Sequence, residues 1–169
     1  MSDEASDEAP EEVPEEIALE PRLRQARAAD RDSIETLVNA AYAPYVVRLG
    51  KPPGPMVEDY LARIEAGQAQ VLELAGGTIA GLLVLLPRED HLLIDNIAVD
   101  PAFQGRGFGN LLLAAAEEEA RRRGYRELRL YTHALMTENQ SLYLSHGWEE
   151  TERRQENGYD RVYFRKPVK

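Results

Sequence analysis

Gln104-Gly105-Arg106-Gly107-Phe108-Gly109 decides how this chain is read. These residues follow an apolar stretch, His91–Val99, and a turn at Asp100-Pro101, and they open a segment of helical composition, Leu111–Arg123. A strand, a turn with glycines at alternate positions and a helix together make an anion site. Backbone N–H groups at a helix start have no partners within the helix, and the dipole adds partial positive charge there. Glycines let the backbone approach a ligand closely. The spacing excludes two familiar phosphate binders. A P-loop needs Lys-Ser/Thr at the end of its glycine loop, and none is present. A dinucleotide fingerprint needs a third glycine where Asn110 stands, and here the strand lies in mid-chain.

Outward from that turn, the 169 residues suit one domain with one core. Residues 1–20 hold nine of the 30 acidic residues and no base. With few apolar residues, this segment cannot bury enough surface to offset its ordering entropy. It reads as a disordered acidic tail, either solubilising or partner-binding, ahead of a single domain over 21–169. A chain starting at Pro21 is therefore expected to keep its melting temperature and its cofactor affinity. A large drop in either would show that the tail docks on the domain. The formal net charge of −10 resides mostly in this tail, since the remainder carries 21 acidic against 20 basic residues. No broad basic surface for nucleic acid is expected. No apolar run approaches the ~20 residues of a membrane span. The N-terminus lacks the basic and apolar regions of a signal peptide, so a cytoplasmic protein is expected. There are no cysteines, which excludes disulfides, thiolate metal sites and a cysteine nucleophile.

Periodicity and turn residues place the other elements. Leu23–Ala26 predicts a first strand. Asp30 is positioned to cap a helix whose Ile34, Leu37, Val38 and Ala41 share a face. Tyr42–Pro55, rich in proline and glycine, reads as a loop. Val57, Tyr60, Leu61 and Ile64 fit a second short helix that stops at Gly67. Gln70–Ala75 and Thr78–Leu86 are strands turned at Gly76-Gly77, and Leu92–Val99 is the fourth strand. The helix after the glycine turn ends at Gly124, with Glu117–Glu119 set four residues before Arg121–Arg123 on a solvated face. Glu127–Thr132 is a strand and Glu138–Ser145 a short helix. Trp148–Arg154 and Tyr159–Arg165 are strands joined around Asn157-Gly158. The order is β-α-α-β-β-β-α-β-α-β-β, an α/β (α+β) chain.

The Q-x-x-G-x-G spacing of Gln104–Gly109, preceded by Ile94-Asp95-Asn96-Ile97-Ala98-Val99-Asp100-Pro101, resembles the acetyl-CoA signature of the GNAT superfamily of N-acetyltransferases. A second block lies about 35 residues on: Thr137-Glu138-Asn139-Gln140-Ser141-Leu142-Tyr143, then His146-Gly147-Trp148. It shows the family's Asn, its Tyr four residues later and its Gly-aromatic pair. The resemblance covers roughly residues 21–166. It implies a mixed, mostly antiparallel twisted sheet with helices on both faces, its fourth and fifth strands splayed around acetyl-CoA. It also implies acetyl transfer to a primary amine of a small molecule or peptide, with CoA as product and no metal. No nucleic acid or membrane partner is expected, and a homodimer is left open. The alternative is a non-catalytic acyl-CoA-binding or regulatory module of the same fold; Tyr143 beside Asn139 favours an enzyme.

Acyl transfer from a thioester to an amine requires a held carrier, a neutral amine, a polarised carbonyl and a stabilised thiolate. Backbone N–H groups of Gln104, Gly105, Arg106, Gly107, Phe108 and Gly109 would take the CoA pyrophosphate, with the charge of Arg106 beside it or merely solvated. The resemblance implies that exposed backbone at Ile97, Ala98 and Val99 pairs with the pantetheine arm and that the N–H near Ile97 polarises the thioester. Strand alternation puts Asp95, Ile97 and Val99 on one face. Tyr143 holds the family's general-acid position, and a phenol of pKa about 10 stays protonated at neutral pH; otherwise it is a packed helix tyrosine. Asn139, one helical turn earlier, can meet the pantetheine or the tyrosine hydroxyl, or act as a cap. The base stays open between Asp95, His133 and a water chain, with a purely structural role for Asp95 as its other reading. His91 and His146 read as a turn residue and a helix-end residue. Tyr42, Tyr45 and Arg48, with His133, are candidate substrate contacts, ordinary loop packing being the alternative for the first three.

Overall fold

The computed structural model describes residues 20–169, so the tail read over 1–20 lies outside the described residues except for Glu20. The seven strands are β1 (Arg22–Gln25), β2 (Ala69–Glu73), β3 (Ile79–Pro87), β4 (Leu92–Val99), β5 (Glu127–His133), β6 (Glu149–Glu156) and β7 (Tyr159–Pro167). The α-helices are α1 (Arg31–Leu49), α2 (Tyr60–Glu65), α3 (Phe108–Arg122) and α4 (Thr137–Ser145). One sheet runs in the order β1-β2-β3-β4-β5-β7-β6. Every neighbouring pair is antiparallel except β4 with β5. The element order and the mixed sheet with helices on both faces are as the sequence implies.

The continuous apolar run of β3 makes it the centre of the fold, because both its faces are covered. Leu83 and Leu85 join Leu112, Ala116 and Ala120 of α3 on one face. Leu82, Val84 and Leu86 join Ile34, Leu37 and Val38 of α1 and Tyr60 and Ile64 of α2 on the other. Each fully buried leucine or valine stabilises by about 1.5–3 kcal/mol. Gly81 interrupts the run where α3 comes close: a Cβ there would lie 3.2 Å from Leu112 Cδ1 and from Leu72 Cβ.

Three local expectations are corrected. Tyr42–Pro55 is not a loop from its start, because α1 continues through Pro44 to Leu49 and ends at Gly50. An interior proline removes one backbone bond and costs about 3 kcal/mol. Here Pro44 and Ala40, whose carbonyl loses its donor, are both exposed, so water can serve that carbonyl. Tertiary bonds from Tyr42 and Arg48, described below, hold the last turns in place. Asp30 makes no side-chain cap on α1. Its carboxylate instead accepts from the Arg27 N–H at 2.7 Å and pairs with Arg24 at 2.8 Å, tying the turn to β1. Val57 lies ahead of α2 in a short 3-10 turn, and Asp59 caps α2 by accepting from the Ala62 N–H at 3.2 Å.

The site is created where β4 and β5 part. Their parallel pairing runs only from Leu92↔Leu128 to Ile94↔Leu130. Beyond Ile94, residues 95–99 have no strand partner on that side. On the other side the register steps from Ile94↔Leu85 to Asn96↔Val84, which leaves Asp95 as the extra residue of a β-bulge. An extra residue resets the alternation. Ile94, Ile97 and Val99 pack toward α3, whereas Leu93 and Ala98 pack toward α1 and α2. The shared face expected for Asp95, Ile97 and Val99 is thereby overturned. No helix of the described residues is long and apolar enough to cross a membrane.

Candidate active site

The opening beyond Ile94 holds two cavities that meet. The larger, about 280 Å³, runs along Ile97–Val99 to the glycine turn. Gly105 and Gly107 adopt φ of 80° and 82°, the left-handed region that glycine tolerates. The Leu111 N–H donates to the Gly107 carbonyl at 3.1 Å, so the N–H groups of Phe108, Gly109 and Asn110 precede the first bond of α3. Helix α3 begins earlier than its composition suggests, which makes Phe108 and Gly109 first-turn residues. Of the ten residues besides Arg106 expected to contact cofactor, all line this groove; Arg106 is exposed and does not.

The smaller cavity, about 150 Å³, is lined by Asp95 and Asn96 of β4, Tyr131 and His133 of β5, Tyr60 of α2 and Arg161 of β7, among others. The bulge turns Asp95 into this space. Its side chain is 11% exposed, with Arg63 Nη2 3.9 Å away. Tyr131 donates its hydroxyl to Asp95 Oδ1 at 3.3 Å. Burial pushes the Asp95 carboxyl above its ordinary range, with the nearby Glu58 carboxylate adding to the effect. The Tyr131 phenol is pushed up to about 12, mainly by burial and then by the charge of Asp95. Asp95 is therefore held by side chains of α2 and β5.

Asn96 is the buried polar residue that organises this wall. Tyr42 donates to its Oδ1 at 2.7 Å, and its Nδ2 donates to the Tyr60 hydroxyl at 2.9 Å. Tyr60 in turn donates to the Pro55 carbonyl. One amide thus ties α1, α2 and the segment before α2 to the bulged strand. His133 sits at the end of β5, where its Nδ1 accepts from the Leu135 N–H at 3.0 Å. The neutral ring then carries its proton on Nε2. Burial lowers the His133 pKa, which favours that neutral form.

Tyr42, Ile97, Asn139 and Tyr143 line both cavities and so mark their junction. Tyr143 is 7% exposed, and its ring packs 5.9 Å from Trp148 and 5.7 Å from Phe164. Its hydroxyl has no hydrogen-bond partner among the described residues and is not sealed from the cavities. Burial pushes that phenol up to about 12. Asn139 lies one turn earlier on α4, with Nδ2 3.8 Å from Met136 Sδ.

The three substrate candidates of α1 separate. Tyr42 reaches both cavities, and burial raises its phenol well above the ordinary value. Tyr45 lines only the larger groove. Arg48 lines neither; it pairs with Glu138 at 2.8 Å, donates to the Leu135 carbonyl at 3.2 Å and stacks 5.1 Å above Tyr45. It fastens the end of α1 to α4. His91 pairs with Asp90 at 2.7 Å, and His146 Nδ1 meets the Leu142 carbonyl at 2.8 Å at the end of α4. Both stand apart from the cavities. Sequence reasoning missed Asn96, Tyr60, Tyr131 and Arg161. Of these, Tyr131 had a signal: it is two residues from His133, hence on the same strand face.

The model of the Acetyltransferase (GNAT) family matches residues 34–148. The fold is similar to that of the ribosomal-protein-S18-alanine N-acetyltransferase from Escherichia coli, with a TM-score of 0.71 and 21% identity over 88% of this chain and 94% of that one. The PaiA N-acetyltransferase from Thermoplasma acidophilum, solved in complex with coenzyme A, gives a TM-score of 0.71 and 16% identity over 86% and 98%. A GNAT family acetyltransferase from Elizabethkingia anophelis, solved with acetyl-CoA bound, gives 0.63 and 21% over 88% and 98%.

Proposed function

The chain belongs to the acetyltransferase (GNAT) family, and on that premise we propose that it moves the acetyl group of acetyl-CoA directly to a primary amine of a small molecule or peptide. One observation carries this reading. Tyr143, a protonated phenol, stands where a groove ending at a helix N-terminus meets a cavity holding the desolvated carboxylate of Asp95.

Acetyl-CoA would supply the acyl group as an activated thioester. The chain's own groups fit such a ligand. The left-handed glycines and the first N–H groups of α3 suit a pyrophosphate, and the edge of β4 at Ile97–Val99, which has no β5 partner beyond Ile94 and whose Ile97 carbonyl accepts a 3.4 Å bond from the Tyr42 hydroxyl, suits an extended arm. The N–H at Ile97 would polarise the acyl carbonyl. Asp95 removes a proton from the incoming ammonium. The amine nitrogen forms its bond to the acyl carbon as the carbon–sulfur bond breaks. Tyr143 gives its proton to the departing sulfur and recovers one from the acylated nitrogen through water. Asp95 is preferred to His133 as base because the His133 Nδ1 lone pair is already taken by Leu135, leaving a donor at Nε2. Asn139 would orient the arm beside Tyr143.

Release of free CoA thiol from acetyl-CoA in the presence of amines, amino acids and peptides tests the reading. Thiol release dependent on one acceptor class is expected. Tight CoA binding with no release for any amine would point instead to a non-catalytic binding module. Gly109→Val tests the cofactor groove. Gly109 has ordinary helical φ, and a Cβ there meets nothing within 4 Å, so the fold should tolerate the change. Its branches would occupy the approach to the helix N-terminus. Calorimetry should show CoA affinity lowered by at least about tenfold, or roughly 1.4 kcal/mol, with the circular dichroism spectrum retained. Gly107 is the poorer test, since its φ of 82° would strain any side chain. Unchanged affinity in folded Gly109→Val would remove the groove from the cofactor site.

A further inference from the structure

Resting on the acetyl-transfer reading, we propose that the acceptor is a small amino acid whose carboxylate, carried on the same molecule as its amine, is held by Arg161. The smaller cavity has two chemically opposite ends. Asp95 and Glu58 line one end, with Arg63 bridging them at 3.9 Å and 2.6 Å. At the other end the β5–β7 register sets His133 opposite Arg161, and both line the cavity. Tyr131 separates the two ends: its hydroxyl donates to Asp95, and its ring carries the Arg161 guanidinium 4.3 Å from the centroid.

Arg161 is prepared for an anion. Its side chain is 15% exposed, and Nη1 pairs with Glu156 at 3.2 Å. A guanidinium offers five donors in a planar fork that matches a carboxylate, so the ion pair with Glu156 and a hydrogen bond to the Tyr163 side chain leave others to give. His133 contributes a second donor, the Nε2–H left by its bond to Leu135, without adding charge. Neither Arg161 nor the His133 Nε2–H is an acceptor, and Glu156, the carboxylate beside Arg161, is already engaged by that guanidinium and by the Tyr163 hydroxyl, so this end suits a carboxylate better than an ammonium. Conversely, Asp95 and Glu58 offer acceptors that suit an ammonium and not a carboxylate, with Arg63 and Arg88 offsetting part of their charge. The ammonium is thus drawn to the Asp95 side, which opens toward Ile97 and Tyr143, and the carboxylate to the far side. The offset between them is about one tyrosine ring, and the cavity of about 150 Å³ suits a small molecule. A simple alkyl amine leaves the Arg161 end unmatched. A peptide amino group carries its carboxylate at the distant end of the chain.

The test compares amino acids with their own carboxamides and decarboxylated amines, using wild type, Arg161→Gln and Arg161→Lys. In wild type, kcat/KM should favour the acid over its amide by about 10- to 100-fold, the loss expected for a charged hydrogen-bonded contact. That ratio should fall toward one in Arg161→Gln, through KM, and take an intermediate value in Arg161→Lys. Circular dichroism and CoA affinity check that the variants fold; if Arg161→Gln does not, the wild-type ratio and Arg161→Lys still decide. Equal turnover of acid and amide by wild type would overturn the proposal, as would a ratio that persists in Arg161→Gln. If amines lacking a carboxylate release thiol as well as the acids do, the carboxylate site fails and acetyl transfer stands. If no amine of any class releases thiol, acetyl transfer fails and takes this proposal with it.

Discussion

Tyr143→Phe is expected to turn over about 100- to 10,000-fold more slowly than wild type, the usual range for loss of general-acid help, while CoA affinity barely moves. The ring contacts with Trp148 and Phe164 survive the change. The hydroxyl has no partner among the described residues, so its removal leaves no buried donor or acceptor orphaned. The variant should therefore melt at or slightly above the wild-type temperature. The rate loss should fall on kcat and kcat/KM alike, because the proton is needed only as the carbon–sulfur bond breaks. With the phenol pushed up to about 12, wild-type activity should show no falling limb from this group below that pH. Wild-type turnover by Tyr143→Phe would make the tyrosine a packing residue and require the thiolate to leave by another route.

Asp95→Asn is expected to lose about 100- to 10,000-fold in kcat/KM as well, with a different pH signature. Burial raises the Asp95 carboxyl above the ordinary aspartate range. A base must be deprotonated, so wild-type activity should rise with pH through that elevated value, and the limb should vanish in the variant. Stability should change in the opposite sense. A carboxyl whose folded pKa is raised contributes stability that is full below its unfolded pKa, about 3.9, and is lost as pH rises through the folded value. At neutral pH the charged Asp95 therefore works against folding, and asparagine, which still accepts from Tyr131, removes that opposition. Asp95→Asn should melt no lower than wild type at pH 7, with the difference shrinking in acid. A stabilised but inactive variant would separate function from fold. Wild-type rate with the same pH limb would return the base role to water.

Much of the frame was legible because its signals are local. The glycines at 105 and 107 need left-handed backbone, the Gly76-Gly77 and Asn157-Gly158 turns likewise, and all of them adopt positive φ. The apolar faces of α1 and α3 follow helical spacing, and Leu92–Val99 is a strand over the range expected. Pro44 misled because a proline signal is local while the contacts that hold α1 together around it, Tyr42 to Asn96 and Arg48 to Glu138, lie 54 and 90 residues away. Asp95 was found as a residue but placed on the wrong face, since alternation assumes two residues per repeat and a bulge inserts one more.

By itself the sequence determined the element order, the strand–glycine turn–helix unit and some of the residues that line the two cavities, because each depends on spacing along one element. Only the tertiary structure decided which of them meet. The bulge turns Asp95 into the smaller cavity, the short β4–β5 pairing opens the sheet after Ile94, and the β5–β7 register sets Arg161 opposite His133. Those outcomes depend on register and packing between segments far apart in the chain, where a shift of one residue moves a side chain to the opposite face of the sheet.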